Sequence, residues 1–142
     1  EKGAIKVNAN IIQIILKLYD NYGNQINPID VEYVDNDWID MNRMDYDSLI
    51  AYEGFNILQS NFLLQLWCKD LPENEVFLTL YAPQGRIEMF KLNNKIRVYK
   101  YINNLDFQGY FASNKFTILD GQELMIYMKQ DNHLIDLQVV PL

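Results

Sequence analysis

The sequence predicts an all-β fold: one antiparallel β-sandwich domain over residues 1–142, of jelly-roll or immunoglobulin-like type, with room for a single short helix within 45–60. Three observations predict it. Apolar and polar residues alternate at period two along most of the chain, turn clusters of Asp, Asn, Gly and Pro separate these runs, and helical periodicity is scarce. Short strands of this kind bury one face each, and the stable arrangement is sheet against sheet.

The first clear strand carries Ile12, Ile14, Leu16 and Leu18 on one face and Gln13 and Lys17 on the other, and ends at the turn cluster Asp20-Asn21-Tyr22-Gly23-Asn24. Residues 35–60 mix acidic and aromatic side chains without a period, and read as a long loop in which Asp47 caps a short helix over 48–52. Phe62, Leu64, Leu66 and Cys68 then form an inward set opposite Gln65, Trp67 and Lys69, before Pro72 breaks the run. Strands 76–81 and 86–91 pair as a hairpin through Ala82-Pro83-Gln84-Gly85, because proline presets φ in the turn. Asn93-Asn94 leads into a strand from Lys95 to Tyr101 with Ile96 and Val98 inward. Further strands are expected over 107–111 and 115–119, and a last hairpin joins 123–129 to 134–140 through Gln130-Asp131-Asn132-His133.

The run from Ile15 through Asp20, Gly23 and Asn24 to Ile26 resembles the strand-turn-strand openings of bacterial and phage immunoglobulin-like and baseplate β domains. It covers a small part of the chain and recurs in unrelated hairpins, so it identifies no family.

A net charge of −7 disfavours nucleic acid and anionic membranes as partners, since phosphate binding needs a clustered Lys/Arg surface. The longest apolar runs, 11–18 and 62–68, are too short to span a bilayer as a helix. Cys68 is the only cysteine, which excludes an internal disulfide. Abundant Asn and Ile beside scarce Ala, Arg, Ser and Thr match the bias of AT-rich genomes, such as those of gut bacteria, phages and other viruses.

Catalytic patterns are missing from the sequence. The serines at 48, 60 and 113 lie outside any nucleophile elbow, and a Cys68–His133 pair would join an inward strand residue to a turn residue. Carboxylates crowd between Asp30 and Asp47, but counting from Asp35 a calcium loop would need glycine at Asp40 and glutamate at Tyr46. The segment is read as a solvated loop, with no metal and no cofactor expected; paired acids there for glycoside hydrolysis are a third reading.

The outward faces are more informative. If Val76, Leu78 and Leu80 face the core, Phe77, Thr79 and Tyr81 face away; if Ile96 and Val98 are inside, Arg97, Tyr99 and Tyr101 are outside; the same parity turns Trp67 and Tyr127 outward. Aromatic rings with an arginine are the residue types enriched at binding hot spots. The expected binding residues are therefore Trp67, Phe77, Tyr81, Arg97, Tyr99, Tyr101 and Tyr127. The expected function is a non-catalytic assembly or adhesion module, such as a component of a phage or virus particle or of a bacterial surface appendage. Its partner would be another protein or a second copy, at a virion or cell surface rather than in the cytoplasm. A small carbohydrate-binding module, with glycan as partner, is the alternative.

Overall fold

The computed structural model describes residues 2–7, 9–20, 22–29, 39–40, 51–53, 57–103 and 106–142. Their strands, in chain order, are β1 (Lys2–Val7), β2 (Asn10–Tyr19), β3 (Gln25–Ile29), β4 (Ile39–Asp40), β5 (Ala51–Glu53), β6 (Asn61–Lys69), β7 (Val76–Ala82), β8 (Gly85–Leu92), β9 (Lys95–Ile102), β10 (Asp106–Ala112), β11 (Leu124–Asp131) and β12 (Leu134–Pro141). No helix occurs among the described residues. The helix expected within 45–60 falls largely outside them, and within that range the described residues form β5 and the turn before β6.

Two antiparallel sheets pack face to face. The first has the order β10-β9-β8-β7-β1-β5 and the second β12-β11-β6-β2-β3, with β4 also paired to β2. Between them lie Ile5, Val7, Leu78, Leu80, Ile87, Met89, Ile96 and Val98 of the first sheet. The second sheet answers with alternate residues of β2, β6, β11 and β12, among them Leu16, Leu64, Ile126 and Leu137. Burying each such side chain contributes roughly 1.5–3 kcal/mol, so this interlayer core supplies most of the driving force.

Two tight turns explain why the hairpins close where they do. Asn93 and Asn94 join β8 to β9, and Asn132 and His133 join β11 to β12; all four residues have φ between 49° and 68°. Positive φ at both central positions is the hairpin turn that matches strand twist, and asparagine tolerates it better than most residues. Gly85 closes the β7–β8 hairpin for a different reason. A Cβ there would overlap the Tyr101 carbonyl oxygen and come within 2.7 Å of Leu58 Cδ1.

In β2 and in β7 a bulge breaks strict alternation. In β2 the register shifts between Ile11 and Gln13, so Ile11 joins Ile14, Leu16 and Leu18 inside, while Ile12, expected inward, is only half-buried. In β7, Val76 pairs with Phe90 and Leu78 with Met89, leaving Phe77 as the inserted residue. Phe77, expected outward, is 1% exposed within the core, and Val76, expected inward, is exposed. An inserted residue reverses the parity of everything before it, which a period-two pattern does not reveal.

The strand expected over 115–119 does not form. Residues 113–123 instead tie down neighbouring elements: Ser113 N–H donates to the Ile96 carbonyl, and Phe116 N–H to that of Asn94. The Asn114 amide pairs with both backbone groups of Val139, accepting from its N–H at 2.8 Å and donating to its carbonyl at 3.0 Å. One side chain thus occupies part of the open edge of β12, where unpaired backbone would otherwise invite another strand.

Candidate binding surface

Four neighbouring strands, β7 to β10, build this part of the outer face of the first sheet. Ile87 and Met89 point into the core, so Arg86, Glu88 and Phe90 of β8 point out; Ile96 and Val98 likewise turn Arg97, Tyr99 and Tyr101 of β9 outward. Register then sets rows across the face: Tyr81 opposite Arg86 opposite Tyr101, and Thr79 opposite Glu88 opposite Tyr99 opposite Tyr110. Side chains directly opposite on one face are close enough to pack, so each row is a contact line.

Tyr99 is the hub. Its ring stacks on Phe90 at 5.2 Å between centroids, and tilts against Tyr110 at 5.3 Å and Tyr101 at 6.2 Å. The Arg86 guanidinium lies 4.2 Å from the Tyr101 centroid while its Nε bonds Glu88 Oε1 at 2.8 Å. Arg97 donates from Nε to the Leu92 carbonyl at 3.0 Å and from Nη1 to the Tyr110 hydroxyl. Both arginines are thereby held in fixed orientation, and cation–π contact adds to the hold on Arg86. Arg86, Arg97 and Lys6 lie with Glu88 on this face, in a chain whose net charge is −7.

Of the residues expected to bind, Tyr81, Arg97, Tyr99 and Tyr101 come together here, and Tyr110 is the most open ring at 42% exposure. Phe77 is withdrawn into the core by the β7 bulge, and Thr79 is buried as well. Trp67 and Tyr127 do not extend the surface, because β6 and β11 belong to the second sheet and their outward residues face the opposite side of the sandwich. There Trp67 donates from Nε1 to Glu123 Oε1 at 2.8 Å. Arg86, Phe90 and Tyr110 were missed, although the parity that placed Tyr99 outward applies equally to Arg86 and Phe90 once Ile87 and Met89 are set inside.

Cys68 and His133 stand at opposite ends of β11. Cys68 pairs with Leu124 at its start and His133 follows Asp131 at its end, roughly 23 Å apart along the strand. Burial pushes the Cys68 thiol far above its ordinary range, so it stays protonated. The carboxylates from Asp30 to Asp47 lie outside the described residues apart from the backbone of β4, and among the described residues no three His, Cys, Asp or Glu side chains gather as a metal site. No helix among the described residues is long and apolar enough to cross a membrane. No protein-family model matches the chain, and no curated protein or solved structure matches it either.

Proposed function

We propose that this chain is a non-catalytic assembly or adhesion module whose outer first-sheet face docks a protein partner, a second copy of the chain included. The observation that carries the reading is the cluster of Tyr99, Tyr101, Tyr110, Arg86 and Arg97, a continuous aromatic and arginine surface locked by its own contacts. Rigid rings and pre-oriented guanidinium groups lose little entropy on binding, and that is what separates a hot spot from an ordinary sheet face. The setting we propose is a phage or virus particle or a bacterial surface appendage.

Sedimentation velocity over a range of concentrations tests it. Wild type should associate, and Tyr99→Ala with Tyr101→Ala should shift it to monomer, each central ring being worth roughly 1–3 kcal/mol of association. The variant should keep the β spectrum of wild type by circular dichroism, since neither ring belongs to the interlayer core. Wild type that is monomeric throughout overturns the self-assembly reading, and a variant that unfolds shows that these rings serve the fold.

A further inference from the structure

The second sheet carries a cleft on its own outer face, on the side of the sandwich opposite Tyr99. It encloses about 320 Å³ and is lined by Tyr19, Gly23, Asn61, Leu63, Lys129 and Asp131. That volume falls within the range of roughly 300–1,000 Å³ usual for small-ligand sites. Register explains the grouping: Tyr19 pairs with Asn61 across β2 and β6, and Leu63 with Lys129 across β6 and β11, so outward residues of three adjacent strands meet at one end of the sheet.

Both rims are fixed by hydrogen bonds. In the β2–β3 turn the Asp20 carboxylate accepts from the backbone N–H of Tyr22 at 2.9 Å and of Asn24 at 2.8 Å, and Asp20 N–H donates back to the Asn24 carbonyl at 2.8 Å. At the other rim Asn61 Oδ1 accepts from the Asn132 N–H of the β11–β12 turn at 3.2 Å. The cleft is therefore formed before any ligand arrives.

We infer that this cleft binds a neutral carbohydrate ring. Among the side chains that line the cleft, Lys129 and Asp131 are the charged pair, next but one on the same strand face, so their charges offset and the lining has no net charge to attract a phosphate or an isolated cation. What it offers is both donors and acceptors: Asp131 accepts, Lys129 donates, and the Asn61 amide nitrogen is turned to donate by the engagement of its oxygen. Among the described residues no hydrogen bond or ion pair occupies the Tyr19 hydroxyl, the Lys129 ammonium or the Asp131 carboxylate. Sugar hydroxyls are donors and acceptors at once, which a mixed rim satisfies and a single-sign rim does not. The C–H face of the ring lies on Leu63 and the Tyr19 ring, an apolar floor with a polar edge. This site is on the opposite sheet from the proposed protein interface, so the two readings stand or fall separately.

Ligand-observed saturation-transfer NMR on the full chain tests it, with a panel of neutral mono- and disaccharides, and with inorganic phosphate and glycine as charged and zwitterionic probes. At least one neutral saccharide should receive saturation, strongest at its ring C–H protons, and its affinity should be the same in low and high salt. Affinity should fall about tenfold in Asp131→Asn and in Tyr19→Ala, the loss of one contact to a charged group or of the floor, and hold in Tyr99→Ala. Asp131→Asn keeps the shape of the side chain and removes its charge and one acceptor oxygen, so a failure to bind there is not a failure to fold. No transfer to any saccharide, transfer that survives both substitutions, or a preference for phosphate or glycine overturns the inference.

Discussion

At the scale of single residues, Cys68 shows how packing decides chemistry. Its side chain continues the inward set Phe62, Leu64 and Leu66, is fully buried, and faces a low-dielectric core in which the thiolate is disfavoured. Such a thiol acts as a small hydrophobe. Cys68→Ala should therefore cost about 1 kcal/mol through a small cavity and leave association unchanged. Denaturant unfolding measures the first part. A maleimide added to native protein checks the burial independently, since labelling should await unfolding, and rapid modification of the folded chain would refute it. Position, rather than residue type, sets this outcome, and Cys68 was legible from parity alone because β6 has no bulge.

At the scale of elements, the hairpins depend on a few backbone positions. Gly85 begins β8 where a Cβ would run into the Tyr101 carbonyl and the Leu58 methyl, and it pairs with Ala82 and Ile102 on its two sides. Gly85→Ala should then push β9 away from β8 and destabilise by roughly 1–3 kcal/mol, more than a surface glycine would. Thermal unfolding beside Gly121→Ala, where a Cβ meets nothing within 4 Å but φ is +75°, separates crowding from backbone strain. Equal losses in the two variants would remove the crowding argument. Strand identity is readable in β6, β9, β11 and β12, where buried side chains alternate with more exposed ones. It failed at Ile12 and Phe77, because alternation records which residues are apolar and not where the partner strand skips one. It failed again for Lys115 to Leu119, where Phe116 and Ile118 alternate with polar residues but the backbone bonds go to turns and edges. Parity turns Trp67 and Tyr127 outward, yet which outward face they share depends on strand order, a long-range property invisible in local pattern.

At the scale of the whole molecule, one polar link joins the sheets through the core. Lys100 follows Ile96 and Val98 onto the inner face of β9, where it is 4% exposed, and its Nζ donates to Gln130 Oε1 of β11 at 2.8 Å. Gln130, itself fully buried, donates from Nε2 to the carbonyls of Ile57 at 3.0 Å and Ser60 at 2.7 Å, which anchors the turn before β6 to the same point. The ammonium has a neutral partner rather than a carboxylate, so burial is not offset and lowers the Lys100 pKa from 10.5 to about 8. The sign of the resulting pH dependence follows. Below about pH 8 both folded and unfolded chains hold the proton, and the folded state bears the cost of a desolvated cation. Between about pH 8 and about pH 10.5 the unfolded chain binds more proton than the folded one, so this group makes stability rise with pH. The cost relieved is on the order of 3 kcal/mol. Lys100→Met should accordingly be more stable than wild type at pH 7, by less than that figure because Gln130 Oε1 loses its donor, a loss of about 1 kcal/mol or more. The advantage should shrink as pH climbs through the window, since wild type recovers stability there and the variant has no lysine to titrate. Paired denaturation curves for the two proteins at several pH values cancel the ionisation of the tyrosines, which both chains share. A difference that stays constant with pH would mean that Lys100 is already neutral or still solvated in the fold, and a variant less stable at every pH would mean that the link to Gln130 outweighs the buried charge.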